Sequence, residues 1–253
     1  MASVSLVNVS KVFSGKVEAV SDLSLEVADG QRLVIVGPSG CGKTTTLRLI
    51  AGLDHPSRGE ICFGGQSVAN TPPARRNVAM MFQNPALYPH LDVRSNIAYS
   101  ASLHRRLPKE DVERAARSVG LADLLGRMPH ELSGGQQRRA MLARVLLLRP
   151  AVCLLDEPLA HLDGLAREDL RNEIKRQLDR LRSTVIYVTH DLVEALTMGD
   201  RVAVMNDGRL QQVGTASEIL QCPQNEFVAK FLTTLPEGYN AKTERLKPEC
   251  GNG

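Results

Sequence analysis

Residues 37 to 44 read Gly-Pro-Ser-Gly-Cys-Gly-Lys-Thr, a run able to cradle a phosphate chain. Gly37, Gly40 and Gly42 let the backbone curl so that successive N–H groups point at one anion, with Pro38, Ser39 and Cys41 completing the loop. Lys43 adds a positive charge for the β- and γ-phosphates. Thr44 offers a hydroxyl to Mg2+, and Thr45 leads into a helix whose positive end faces the same anion. A second centre lies at Asp156 and Glu157, which end an apolar run. A carboxylate there needs a partner or a cation to offset its desolvation. Asp156 suits a Mg2+ ligand and Glu157 a group that polarises an attacking water. Taken alone, an acidic pair could equally mark the start of a loop; the phosphate cradle upstream tips the balance.

These residues need a scaffold, and the hydrophobic pattern supplies one. RLVIV at 32 to 36 is a continuous apolar, β-branched run, the mark of a strand buried on both faces, and it feeds directly into the glycine loop. After the loop, Leu47, Ile50 and Ala51 share a helix face and Gly52 stands at the C-terminal cap. AVCLL at 151 to 155 and TVIYVT at 184 to 189 predict two further core strands, the second ending in His190. Between them Leu170, Ile174, Leu178 and Leu181 recur at helical spacing. Strand, helix and strand in alternation predict a parallel sheet with crossover helices. Alternation at Val4 and Leu6, and at Leu23, Leu25 and Val27, predicts an N-terminal antiparallel sheet. RVAVM and RLQQV around Asn206-Asp207-Gly208 predict a hairpin. From about 89 to 149 the spacing turns helical, and from 236 to 253 the chain is a polar tail with no periodicity.

Composition bounds the function. The 253 residues carry 31 basic and 28 acidic side chains, an excess of +3 too small to form an electrostatic footprint for nucleic acid. No window approaches the ~18 apolar residues of a spanning helix. The five cysteines show no CxxC pair and no zinc-ligand spacing, so free thiols are expected.

Leu132-Ser133-Gly134-Gly135-Gln136, placed between the phosphate loop and the carboxylate strand, resembles the signature of the ABC ATPases. Its physics stands apart from the name: Ser133 and Gln136 fit a capping box, and a well-formed helix N-terminus is what a γ-phosphate requires. Further marks follow in family order over about 4 to 231. Phe13 lies where the family sets an aromatic ring against adenine. Gln83 resembles the Q-loop glutamine, a Mg2+ and water ligand. Leu159 to Asp163 resembles the D-loop, with Ala160 and His161 departing from the commoner pattern and Asp163 keeping it. His190 resembles the switch histidine that contacts the γ-phosphate.

The resemblance implies an α/β fold with a P-loop NTPase (RecA-like) core, an N-terminal antiparallel β subdomain and an inserted helical subdomain, together spanning 1 to 235. It implies ATP and Mg2+ as cofactors and a homodimer in which one chain's signature covers the other's phosphate loop. Residues 80 to 99 and 213 to 232 resemble importers of carbohydrates, with polyamine and inorganic-anion importers close behind. The expected partners are integral membrane permease subunits and, indirectly, an extracytoplasmic solute-binding protein, with the chain peripheral on the cytoplasmic face of the inner membrane. The β-rich regulatory domain usual in that subfamily has no counterpart before Gly253. An exporter, a soluble ABC protein and a P-loop metabolic kinase fit less well: no membrane helices, coiled coil, zinc pair or acceptor-site pattern is present.

Overall fold

The computed structural model describes residues 2–84, 86–103, 107–160, 164–181 and 183–236. In chain order it contains β1 (Val4–Phe13), β2 (Val17–Val27), β3 (Arg32–Val36), α1 (Lys43–Ala51), β4 (Arg58–Phe63), β5 (Gln66–Ser67), β6 (Val78–Met81), α2 (Val93–Ser102), α3 (Lys109–Ser118), α4 (Gly134–Leu148), β7 (Val152–Asp156), α5 (Gly164–Arg180), β8 (Thr184–Thr189), α6 (Leu192–Met198), β9 (Arg201–Asn206), β10 (Arg209–Gly214), α7 (Ala216–Gln221) and α8 (Glu226–Leu232). The chain divides into two compact units. A middle unit comprises Asn77–Ser183, and a flanking unit comprises Ala2–Arg76 with the residues from Thr184 onward.

In the flanking unit β2, β1, β4 and β5 form an antiparallel sheet in that order, built on the alternation predicted for β1 and β2. Alternation fails to announce β4, whose RGEICF run is charged and contains Gly59. It is recruited by pairing with β1 (Leu6 opposite Ile61), and Gly59 lies so close to β1 that a Cβ would stand 2.3 Å from the Asn8 carbonyl. Strands β8, β3 and β9 run parallel in that order, and β10 returns antiparallel to β9 through Asp207 and Gly208, both at positive φ as a tight hairpin turn demands. Leu33 to Val36, all of β8 and Val202 to Met205 are buried, so the continuous apolar runs mean here what they meant in sequence. Helix α1 packs against β8 and α6 against β3, and Gly52 closes α1 in the left-handed conformation.

In the middle unit β6 and β7 pair in parallel, Val78 opposite Val152 through Met81 opposite Leu155. The helical residues form α2, α3 and α4 around a core of Ile97, Ala116, Val119, Leu121 and Leu142, with α5 against α4. Asp92 caps α2, its side chain accepting from the Ser95 N–H at 2.7 Å. Asn96, fully buried on α2, is held by Arg144 of α4, which donates to its carbonyl and side-chain oxygen and lies over the Tyr88 ring.

The expectation of free thiols needs one correction. Cys41, Cys62 and Cys153 are free, whereas Cys222 is disulfide-bonded. It stands half-buried just past the end of α7, where a thiol remains accessible, unlike Cys153, whose thiol full burial pushes up to about 12.

Candidate functional site

The phosphate loop leaves β3 at Val36 and enters α1 at Lys43. Two of its glycines have no alternative: a Cβ on Gly37 would stand 2.1 Å from the Met205 carbonyl oxygen, and one on Gly42 2.3 Å from that of Ala19, at φ 101°. No side chain caps the N-terminus of α1, whose dipole end favours an anion there. Lys43, 4% exposed, donates to the Gly37 and Pro38 carbonyls at 2.9 and 2.8 Å. Burial pushes the Cys41 thiol up, partly offset by Lys43 beside it. Thr44 is exposed and Thr45 half-buried, both in the first turn of α1.

His190 belongs to the same unit. Val36 and Thr189 are register partners on neighbouring parallel strands, so the first residue past each, Gly37 and His190, leaves the sheet at the same level. The chain at His190 is pinned by a buried cluster that sequence reading missed. The Glu194 carboxylate accepts from Thr189 Oγ1 at 2.8 Å and Tyr187 OH at 2.9 Å, and Thr189 Oγ1 accepts from the Asp191 N–H at 3.0 Å. Tyr187, Thr189 and Glu194 are all under 5% exposed, so the carboxylate needs these donors.

In the middle unit Asp156 ends β7, 3% exposed. Glu157 follows with φ 44°, a left-handed conformation that costs a non-glycine residue about 1 kcal/mol or more and that collects at working sites. The register of β6 and β7 carries Gln83 and Glu157 two residues past the paired Met81 and Leu155, and Gln83 Nε2 donates to Glu157 Oε2 at 3.3 Å. The signature turn lies in the same unit. Ser133 Oγ accepts from the Gln136 N–H and Gln136 Oε1 from the Ser133 N–H, the reciprocal box expected from sequence, while Gly134 stays exposed. Leu159 and Ala160 are buried; His161 and Asp163 lie outside the described residues. Phe13 is 40% exposed, with Lys11 Nζ 4.9 Å from its ring centroid.

The ABC transporter family profile matches residues 20–160, from β2 past the carboxylate pair. This chain belongs to the ABC transporter family. It is 51% identical over 94% of its length to the trehalose/maltose import ATP-binding protein MalK of Thermococcus litoralis, covering 66% of that protein. It is 47% identical over 92% of its length to the sn-glycerol-3-phosphate import ATP-binding protein UgpC 3 of Agrobacterium fabrum, covering 67%. It is 49% identical over 98% of its length to the osmoprotective compounds uptake ATP-binding protein GgtA of Synechocystis, covering 69%. The chain thus spans about two thirds of the length of these curated relatives. Among solved structures it resembles an ATP-binding cassette in a dimeric post-hydrolysis state bound to ADP and Pi, with 27% identity, a TM-score of 0.75, and coverage of 84% of this chain and 98% of that one. The α/β P-loop core is therefore that of an ABC ATPase. Among the described residues no helix is long and apolar enough to cross a membrane.

Proposed function

We propose that this chain is the ATP-hydrolysing subunit of an ABC importer for a carbohydrate or similar small solute, working as a homodimer beneath separate permease subunits. The contact between Gln83 and Glu157 supports hydrolysis most directly. An amide on a carboxylate, at a backbone position held left-handed, is an arrangement for aiming a general base rather than for closing a loop. Glu157 takes the proton of the attacking water. Lys43 and the amides of the glycine loop bind the β- and γ-phosphates, and His190 steadies the γ-phosphate from the neighbouring strand end. Phe13 offers an exposed ring to the adenine, and Asp163 belongs to the loop that meets the second chain.

By residue type Thr44, Gln83 and Asp156 would supply the hard oxygen ligands that Mg2+ prefers. When bound, Mg2+ would neutralise developing charge on the phosphates. The importer assignment and the solute class rest on the relatives, whose names speak of trehalose/maltose, glycerol-phosphate and osmoprotective compounds. Permease and solute-binding partners follow from that class, with the chain peripheral on the cytoplasmic face of the inner membrane. Fractionation tests the arrangement. Expressed without permeases the chain should stay with soluble proteins, and with them it should move to the membrane; membrane association in their absence would contradict the proposal.

A further inference from the structure

Helix α4 opens on an exposed turn that is better furnished with donors than its own fold uses. The capping box consumes the N–H groups of Ser133 and Gln136, while those of Gly134 and Gly135 have no hydrogen-bond partner among the described residues. One turn further in lies Arg138, only 5% exposed. Its guanidinium makes no hydrogen bond or ion pair with a described residue, and its Nε is sealed from solvent. Its Nη1 lies 3.6 Å from where a Cβ on Gly134 would stand. Helical side chains lean toward the N-terminus, so the guanidinium lies along the turn that carries the two open amides.

Three features disfavour a cation in this place. Burial penalises the charge and lowers the guanidinium's hold on its proton. The positive end of the α4 dipole repels it, and the first turn has no acidic residue to balance it. A methionine would fill the same space without these costs. An anion arriving from outside would turn the unused amides, the dipole and the unpaired guanidinium into attraction at one stroke.

We infer that Arg138 is a positioning charge, acting through the Gly134–Gly135 turn to draw in the terminal phosphate of a nucleotide held by a second copy of this chain. This rests on the two-chain reading proposed above. The test uses the full chain carrying Glu157→Gln, which slows hydrolysis so that an ATP-bound dimer can accumulate. Two quantities are measured: the ATP concentration for half-maximal dimer, by light scattering, and the unfolding temperature without nucleotide. Adding Arg138→Met should leave the unfolding temperature equal or higher, yet raise the ATP requirement about tenfold, the factor that about 1.4 kcal/mol represents. Arg138→Lys should close at nearly the parental concentration, because it keeps the charge. If the Glu157→Gln parent itself fails to dimerise with ATP, the two-chain reading fails and the inference with it. If the parent dimerises and Arg138→Met closes at the same ATP concentration, the inference alone is overturned. It is overturned equally if closure is lost together with unfolding temperature and Arg138→Lys restores neither, since that assigns the guanidinium a structural role.

Discussion

Two glycine-flanked helix starts, α1 after the phosphate loop and α4 after the signature serine, look alike in sequence and are built on opposite principles. At α1 the glycines are forced: Gly37 and Gly42 press against carbonyl oxygens that a Cβ would strike. The buried Lys43 is satisfied by its own loop. At α4 nothing in the fold requires a glycine at 134, where a Cβ would meet only Arg138 at 3.6 Å. The neighbouring cation, Arg138, is left without a partner among the described residues. At one turn the glycines and the cation are fixed by contacts within the chain; at the other the buried cation has no such contact among the described residues. That difference suits the two-chain arrangement proposed above, in which one surface would hold a nucleotide and the other would meet a partner's.

The largest effect bears on the chemistry that both turns serve. Glu157→Gln keeps the shape and loses the basic oxygen, so steady-state hydrolysis should fall roughly 10²- to 10⁴-fold, the usual range for a general base. Equilibrium ATP binding should be nearly unchanged. Normal turnover in this variant would remove Glu157 from its role and leave His190 as the leading candidate.

Gly42→Ala comes next, and it probes the forced turn. A Cβ 2.3 Å from a carbonyl oxygen at φ 101° should cost about 1–3 kcal/mol or more, read as a lowered urea midpoint together with weakened ATP binding. A variant as stable as the parent would show that the loop yields more easily than its packing implies.

Glu194→Gln should have a smaller effect. It removes a charge that accepts from Tyr187 and Thr189, so stability should drop by about 1–3 kcal/mol. Turnover should fall several-fold through a misplaced His190, while ATP binding holds. Loss of ATP binding in equal measure would mean that the cluster supports the phosphate loop rather than the histidine.

Gly134→Ala has the smallest expected effect on the fold and separates the two turns most sharply. At the first residue of α4 an alanine should leave stability unchanged or raise it by up to about 1 kcal/mol. ATP-dependent dimer formation should nonetheless suffer, because the new methyl stands where the partner's phosphate would come. Unimpaired dimer formation would undo the contrast.

How much of this the residues announce depends on the range of the interaction. The phosphate loop, the capping box at Ser133, the Gly52 cap and the Asp207-Gly208 hairpin are set by residues a few positions apart, and each is legible in sequence. The β4 strand is not, because its pairing with β1 overrides a charged run of low β-propensity. The Glu194 cluster spans only Tyr187 to Glu194 but depends on which face of β8 each hydroxyl takes and on how α6 turns back. The left-handed backbone at Glu157 has no sequence mark at all. Arg138 has no sequence mark either, and only packing reveals that it is buried.

The central claim is that the open turn of one chain completes the closed loop of another. A mixed dimer of one chain carrying Lys43→Ala and one carrying Ser133→Arg tests it most directly, read by ATP-dependent cross-linking and nucleotide occlusion with each mutant alone and with both combined. The account predicts no occlusion in either homodimer and recovery of one complete site on mixing, where the intact Lys43 of the second chain meets the intact Ser133 of the first. A verified mixed dimer that occludes no nucleotide would contradict it.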